Sequence, residues 1–218
     1  MMNLKVFLRV LAVIIVIAAV FLLSIIDFRE PFDDLKEINY QIEENPNDYE
    51  SYKKRGDYYW YLGQYGLVIQ DYNKAIELNP NYAEAYDSRG KAYKHLGQYD
   101  QAIQDFNKAI ELNPNCDSAY SNRGNIYYEL GQKERAIQDY NKAIELNPNN
   151  YEAHKNLGDY YYELGQYDRA IQYYNKIIEL NPNDSEAYNN RGKSYQELGD
   201  IKSANEDFER AKYFGSED

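Results

Sequence analysis

The chain has 218 residues, with 24 Lys and Arg against 36 Asp and Glu, a net charge of −12. That acidity argues against a nucleic-acid partner, which needs a basic face for its phosphates, and the single cysteine, Cys116, excludes a disulfide scaffold. A hydrophobic share of 44%, with 26 Tyr, argues against disorder.

Val10 to Ile26 is a run of 17 residues without a charge and with Ser24 as its one hydroxyl. As a helix it spans about 26 Å, close to the thickness of a bilayer core. No pair of small residues in Leu22–Asp27 marks a cleavage site, so the stretch reads as an uncleaved transmembrane signal anchor. A signal peptide that is cut off, giving a secreted protein, is the alternative. Lys5 and Arg9 precede the run, whereas Asp27, Glu30, Asp33 and Asp34 follow it with only Arg29 opposing. The positive-inside rule then leaves residues 1–9 in the cytoplasm and everything after the span outside it. Residues 27–218 carry 22 basic and 36 acidic side chains, a net of −14, which repels them from anionic lipid.

Pro46, Pro80, Pro114, Pro148 and Pro182 stand 34 residues apart, each within an Asn-Pro-Asn. With proline at position 32, the chain divides into five units, 49–82, 83–116, 117–150, 151–184 and 185–218, behind a linker and half-repeat at 27–48. Glycine keeps the same register: position 8 is Gly56, Gly90, Gly124, Gly158 and Gly192, and position 15 is Gly63, Gly97, Gly131, Gly165 and Gly199. The apolar residues between these marks follow helical spacing, so each unit reads as two helices, A and B. Position 15 is expected to end helix A in a left-handed cap. Asn47/Glu50, Asn81/Glu84, Asn149/Glu152 and Asn183/Glu186 are spaced as capping boxes that start helix A. Leu35, Ile38 and Ile42 match positions 21, 24 and 28, so 33–47 reads as a lone helix B covering the first unit. In the last unit those three become Asn205, Phe208 and Lys212, the polar outer faces at positions 21 and 28 expected of a terminal repeat.

This pattern resembles the tetratricopeptide repeat family, over five units of 34 residues. Position 4 is Tyr52, Tyr86, Tyr120, His154 and Tyr188, position 11 is always tyrosine, position 20 is Val68 and then alanine, and position 24 is always Tyr or Phe. The resemblance implies an all-α fold: a right-handed solenoid of helix-turn-helix repeats behind the transmembrane helix. It also implies a non-enzymatic protein-interaction scaffold with no cofactor and no small-molecule substrate. The single-pass members of the family suggest a bacterial inner-membrane location. Binding of peptide segments from partner proteins is the expected function; the alternative is a chaperone-like or assembly accessory of a secretion or envelope complex.

One departure from the family pattern carries information. Position 7 is Arg55, Arg89, Arg123 and Arg191 where the family prefers leucine, and position 23 in the same units is Asp71, Asp105, Asp139 and Asp207. In the fourth unit both change together, to Leu157 and Tyr173. The covariation predicts a structural ion pair between the two helices of a unit, with Leu157 packed on Tyr173 in the fourth.

Catalytic chemistry is not apparent. His95 and His154 occupy different repeat positions with no metal-ligand spacing around them, no glycine-rich phosphate loop exists, and Glu129, Glu163 and Glu197 at position 13 read as a solvated face. Fifteen tyrosines fall on packing positions 4, 11, 17 and 24. In the family, positions 2, 5, 6, 9, 12 and 13 of helix A line a concave surface. Here the resemblance puts Trp60, Lys91, Lys94, Asn122, Asn125, Tyr128, Asn156, Asp159, Tyr162, Asn190 and Lys193 on it. The asparagines of position 6 suit a ladder that grips the backbone of an extended peptide, with Tyr128 and Tyr162 adding flat apolar area. The family's clamp for acidic chaperone tails is not matched. From the third unit Asn125 and Asn156 fit, but Ser121, Glu186 and Asn190 do not.

Overall fold

The computed structural model describes residues 31–215, and all of its regular structure is α-helix. The membrane span expected at 10–26 lies outside the described residues. Among those described, no helix is long and apolar enough to cross a membrane.

Helix α1 (Pro31–Glu44) stands alone and packs on the first of five hairpins. The hairpins are α2 (Tyr49–Tyr61) with α3 (Tyr65–Leu78), α4 (Ala83–His95) with α5 (Tyr99–Leu112), α6 (Asp117–Glu129) with α7 (Lys133–Leu146), α8 (Tyr151–Glu163) with α9 (Tyr167–Leu180), and α10 (Ser185–Glu197) with α11 (Ile201–Phe214). Each hairpin packs on the next, so the molecule grows in one dimension.

Each A helix ends at a glycine that adopts φ between 68° and 81°, a conformation that a β-carbon penalises. The glycine N–H and the one after it fold back onto the helix, as in Gly131 N to Tyr128 O at 2.9 Å and Gln132 N to Tyr127 O at 2.8 Å. This is a Schellman cap, and it recurs at all five turns.

The start of helix A departs from expectation. The N-cap lies one residue later than the four capping boxes placed it, at Asp48, Tyr82, Asn150 and Asp184, and it is Cys116 in the third unit, where no box was expected. Asp48, Asn150 and Asp184 accept backbone N–H bonds there; Tyr82 and Cys116 make no side-chain cap bond. The reason is the turn before it. The first asparagine of each Asn-Pro-Asn accepts from the N–H of the second, as Asn147 Oδ1 does from Asn149 N at 3.0 Å. That Asx turn carries the chain past the second asparagine before the helix begins.

The core lies at the junctions. Val68, Tyr72 and Ala75 pack on Ala85 and Ala92 of the next hairpin, and Ala102, Phe106 and Ala109 pack on Ala119 and Ile126. A third cluster joins the last three hairpins through Tyr140, Leu157, Tyr174 and Ile177. Within a hairpin, the glycine of position 8 leaves room for the ring of position 24. A β-carbon on Gly124 would stand 2.8 Å from Tyr140 Cε1, and one on Gly158 2.7 Å from Tyr174 Cε1. At the far end Asn205 and Lys212 are exposed.

Candidate functional site

The first helices of neighbouring units touch one another, α4 with α6, α6 with α8 and α8 with α10. They therefore form one continuous wall, and positions 6, 9 and 12 of each lie along it.

The wall is held rigid by an arginine clamp in four units. Arg123 Nε and Nη2 donate to the two carboxylate oxygens of Asp139 at 2.8 and 2.7 Å. The same bidentate geometry joins Arg55 to Asp71, Arg89 to Asp105 and Arg191 to Asp207. The clamp has a third arm. Nη1 of each arginine donates to an asparagine on the preceding B helix, Asn39, Asn73, Asn107 and Asn175, at 2.6–2.9 Å. Each guanidinium also lies within 5.5 Å of the position-4 tyrosine ring. Planar charge delocalisation suits arginine to this simultaneous pairing and stacking. Burial pushes the Asp105 carboxyl up, and the Arg89 bonds pull it back down. In the fourth unit Leu157 is fully buried, and Tyr173 stacks on Tyr161 at 5.5 Å with the rings 7° apart.

The wall residues fall into small linked groups. In the first two units Trp60 meets Tyr65 and His95 edge-on, and Tyr65 stacks on His95 at 4.8 Å. Lys91 pairs with the buried Asp87 at 2.6 Å, and Asp87 also accepts from Ser118 Oγ at 2.6 Å. Lys94 donates to Asn122 Oδ1 at 3.0 Å, and burial lowers its ammonium pKa. The amide of Asn122 in turn holds Ser118 O at 2.9 Å. The Asn125 and Asn156 amides meet at 2.6 Å. The position-6 asparagines are thus oriented by their neighbours, and each spends only part of its hydrogen-bonding capacity.

A pattern missed in the sequence links positions 9 and 24. Tyr72 donates to Asp57, Tyr174 to Asp159 Oδ1 at 2.8 Å, and Tyr140 Oη lies 2.9 Å from the Asn125 amide. Where position 24 is Phe106 or Phe208, with no hydroxyl to receive, position 9 is Lys91 or Lys193. Burial raises the Asp159 carboxyl pKa, offset in part by Tyr174. Asn190 reaches Asp159 at 3.4 Å, and Lys193 makes no hydrogen bond or ion pair among the described residues.

The acidic side chains of position 13 are exposed, but the solvated-face reading misses their partners. Glu129 accepts from Tyr99, Glu163 from Lys133 and Tyr128, and Glu197 from Tyr167, each across a junction. Asp159, Tyr162, Glu163, Tyr174, Asn190 and Lys193 enclose an open cleft of about 300 Å³. Among the described residues no three His, Cys, Asp or Glu side chains gather into a metal site, and burial pushes the Cys116 thiol pKa up.

No curated protein matches the chain. Among solved structures it is similar to the MamA protein, at 28% identity over 77% of this chain and 92% of that one, with a TM-score of 0.64. It is also similar to YrrB, described as a TPR protein with an unusual peptide-binding site, at 25% identity over 81% and 91% of the two chains, with a TM-score of 0.61. A MamA structure from Desulfovibrio magneticus RS-1, at 21% identity over 78% and 96%, with a TM-score of 0.65, shares the fold. Tetratricopeptide repeat models match residues 49–82, 71–104, 90–131, 121–185 and 173–206. From residue 49 to residue 206, therefore, the chain is an uninterrupted run of tetratricopeptide repeats.

Proposed function

We propose that the chain is a non-enzymatic scaffold whose A-helix wall binds peptide segments of partner proteins. The observation that carries this reading is the row of oriented but incompletely used polar groups, Asn122, Asn156 and Asn190, flanked by Tyr128 and Tyr162. A row of amides at repeat spacing matches the recurring donors and acceptors of an extended backbone. The similarity to YrrB, whose description names a peptide-binding site, supports the same reading. The apolar run at 10–26 further suggests that the array is held at a membrane, with its repeats outside the cytoplasm.

A photo-crosslinking residue at Asn156 or Tyr162 in the full membrane-bound chain should yield discrete adducts with partner proteins. The same residue at Gln172, exposed on α9, should not. Substituting Asn122 and Asn156 by Ala together should weaken that capture without unfolding the array. Equal adducts from Gln172, or capture unchanged by the double substitution, would refute the reading.

A further inference from the structure

At each junction between units, position 17 of one unit meets position 13 of the next on the inner wall, Tyr65 with His95, Tyr99 with Glu129, Lys133 with Glu163 and Tyr167 with Glu197, and position 12 flanks them. Between the third and fourth units this trio contains its own cation. Lys133 Nζ lies 5.1 Å from the centroid of the Tyr128 ring and donates to Glu163 Oε2 at 2.9 Å, while the Tyr128 hydroxyl donates to the same oxygen at 2.6 Å. The bonds from Tyr128 and Lys133 hold the Glu163 carboxyl below its usual range. Burial and the bond to Glu163 push Tyr128 up to about 12.

One unit further on, the trio is Tyr162, Tyr167 and Glu197. The ring and the carboxylate are retained, but position 17 is tyrosine instead of lysine. Tyr167 meets Tyr162 edge-on at 5.5 Å and reaches Glu197 only at 3.5 Å. Among the described residues the Tyr162 hydroxyl has no hydrogen-bond partner. Tyr162 also lines the 300 Å³ cleft, where Asp159 and the Lys133-paired Glu163 stand with the exposed ammonium of Lys193. The other junctions differ. The first is Trp60, Tyr65 and His95, with no carboxylate, and in the second, which has a resident lysine at Lys94, the Tyr99 hydroxyl is bonded to Glu129. Among the described residues, only the junction of the fourth and fifth units has a tyrosine pair beside a carboxylate with no lysine at position 12 or 17.

We propose that Tyr162, Tyr167 and Glu197 form a subsite for a lysine or arginine side chain of the bound segment. The arrangement at Lys133 is the internal model of the occupied site: ammonium over a tyrosine face, hydrogen-bonded to the position-13 carboxylate. The inference rests on the inner-wall reading above and adds the residue type recognised.

The test uses the full chain in detergent and fluorescein-labelled octapeptides of alternating Gly-Lys, Gly-Glu and Gly-norleucine, read by fluorescence anisotropy at about 0.15 M salt. The Gly-Lys peptide should bind about tenfold tighter than Gly-norleucine, the size of one cation–π contact plus one exposed ion pair. Tyr162→Leu, which leaves the net charge unchanged, and Glu197→Gln should each remove most of that preference. Tyr167→Lys should remove it too, because it supplies from within the cation that Lys133 supplies one unit earlier. If Gly-norleucine or Gly-Glu binds as tightly as Gly-Lys, and the Asn122 and Asn156 substitutions weaken that binding, the subsite falls and the scaffold stands. A lysine preference that survives Tyr162→Leu and Tyr167→Lys reflects only the acidity of the chain and overturns the inference. Binding of none of the three peptides overturns it as well.

Discussion

Arg123 illustrates what one side chain contributes. It ties α6 to α7 through Asp139 and to the preceding α5 through Asn107, so it stiffens a unit and a junction together. Asp139 is only 6% exposed, and without its arginine the carboxylate has no equivalent partner. Removing one member of a buried pair costs about 3 kcal/mol, because the other charge stays buried. Arg123→Leu should therefore lower stability by about that amount in urea unfolding. Arg123→Leu with Asp139→Tyr copies the fourth unit, where Leu157 is buried and Tyr173 stacks on Tyr161. The third unit already has what that packing needs: Tyr127 at position 11, with Arg135 over its ring as Arg169 is over Tyr161. The double variant should regain more than half of the loss. A double variant no better than the single one would show that the coupled change of positions 7 and 23 has no energetic basis.

The element scale is set by how each A helix is fastened to the turn before it. Position-4 side chains reach back to the proline carbonyl of that turn, Tyr52 to Pro46 O and Tyr86 to Pro80 O, both at 3.3 Å. His154 does the same to Pro148 O at 2.9 Å, but its Nδ1 is buried without a partner. Burial lowers the His154 pKa. The unfolded chain therefore takes up a proton more readily than the folded one, and stability is full above the ordinary histidine range and falls as pH drops through it. His154→Tyr keeps the carbonyl bond and removes the orphaned nitrogen, so it should stabilise by about 1 kcal/mol near neutral pH. The advantage over the wild type should widen on going from about pH 7 to about pH 5, and an advantage constant with pH would disprove the argument. These fastenings also show what the sequence made legible. Glycine at position 15 announced each helix end, because only a left-handed residue closes that turn. The helix starts were misplaced because asparagine stands on both sides of every proline, and periodicity cannot say which one accepts the bond. Asn107 and its equivalents escaped notice for a similar reason. Asn141 remains at that position although Leu157 offers it no guanidinium, so the arginine's third partner leaves no covariation to detect.

Across the whole molecule the junctions are unequal. Arginine clamps join α1 to the first unit, the first unit to the second, the second to the third and the fourth to the fifth. Position 5 of one unit meets position 2 of the next through Lys53 and Glu84, Asp87 and Ser118, and Lys155 and Glu186. Between the third and fourth units the corresponding residues are Leu157 in place of arginine, and Ser121 and Glu152 at positions 5 and 2. What remains there is the shared apolar cluster, the Asn125–Asn156 contact and Glu163 accepting from Lys133 and Tyr128, beside Asp117 accepting from Asn147 and from Asn150, the N-cap of α8. In a linear array each interface contributes separately to cooperativity, so a weaker interface lets the two halves unfold apart. The single tryptophan, Trp60, reports on the first unit and its junction with the second, whereas far-UV circular dichroism reports on every helix. In urea the dichroism should fall before the Trp60 fluorescence, by about half a molar for an interface about 1 kcal/mol weaker than its neighbours. Leu157→Arg with Tyr173→Asp, in a His154→Tyr background, supplies the missing guanidinium to Asn141 and the position-4 ring that the other clamps stack on. That variant should draw the two transitions together. Transitions that coincide in the wild type, or remain equally far apart in the variant, would mean that the arginine clamps stiffen single hairpins and do not set how far unfolding spreads along the array.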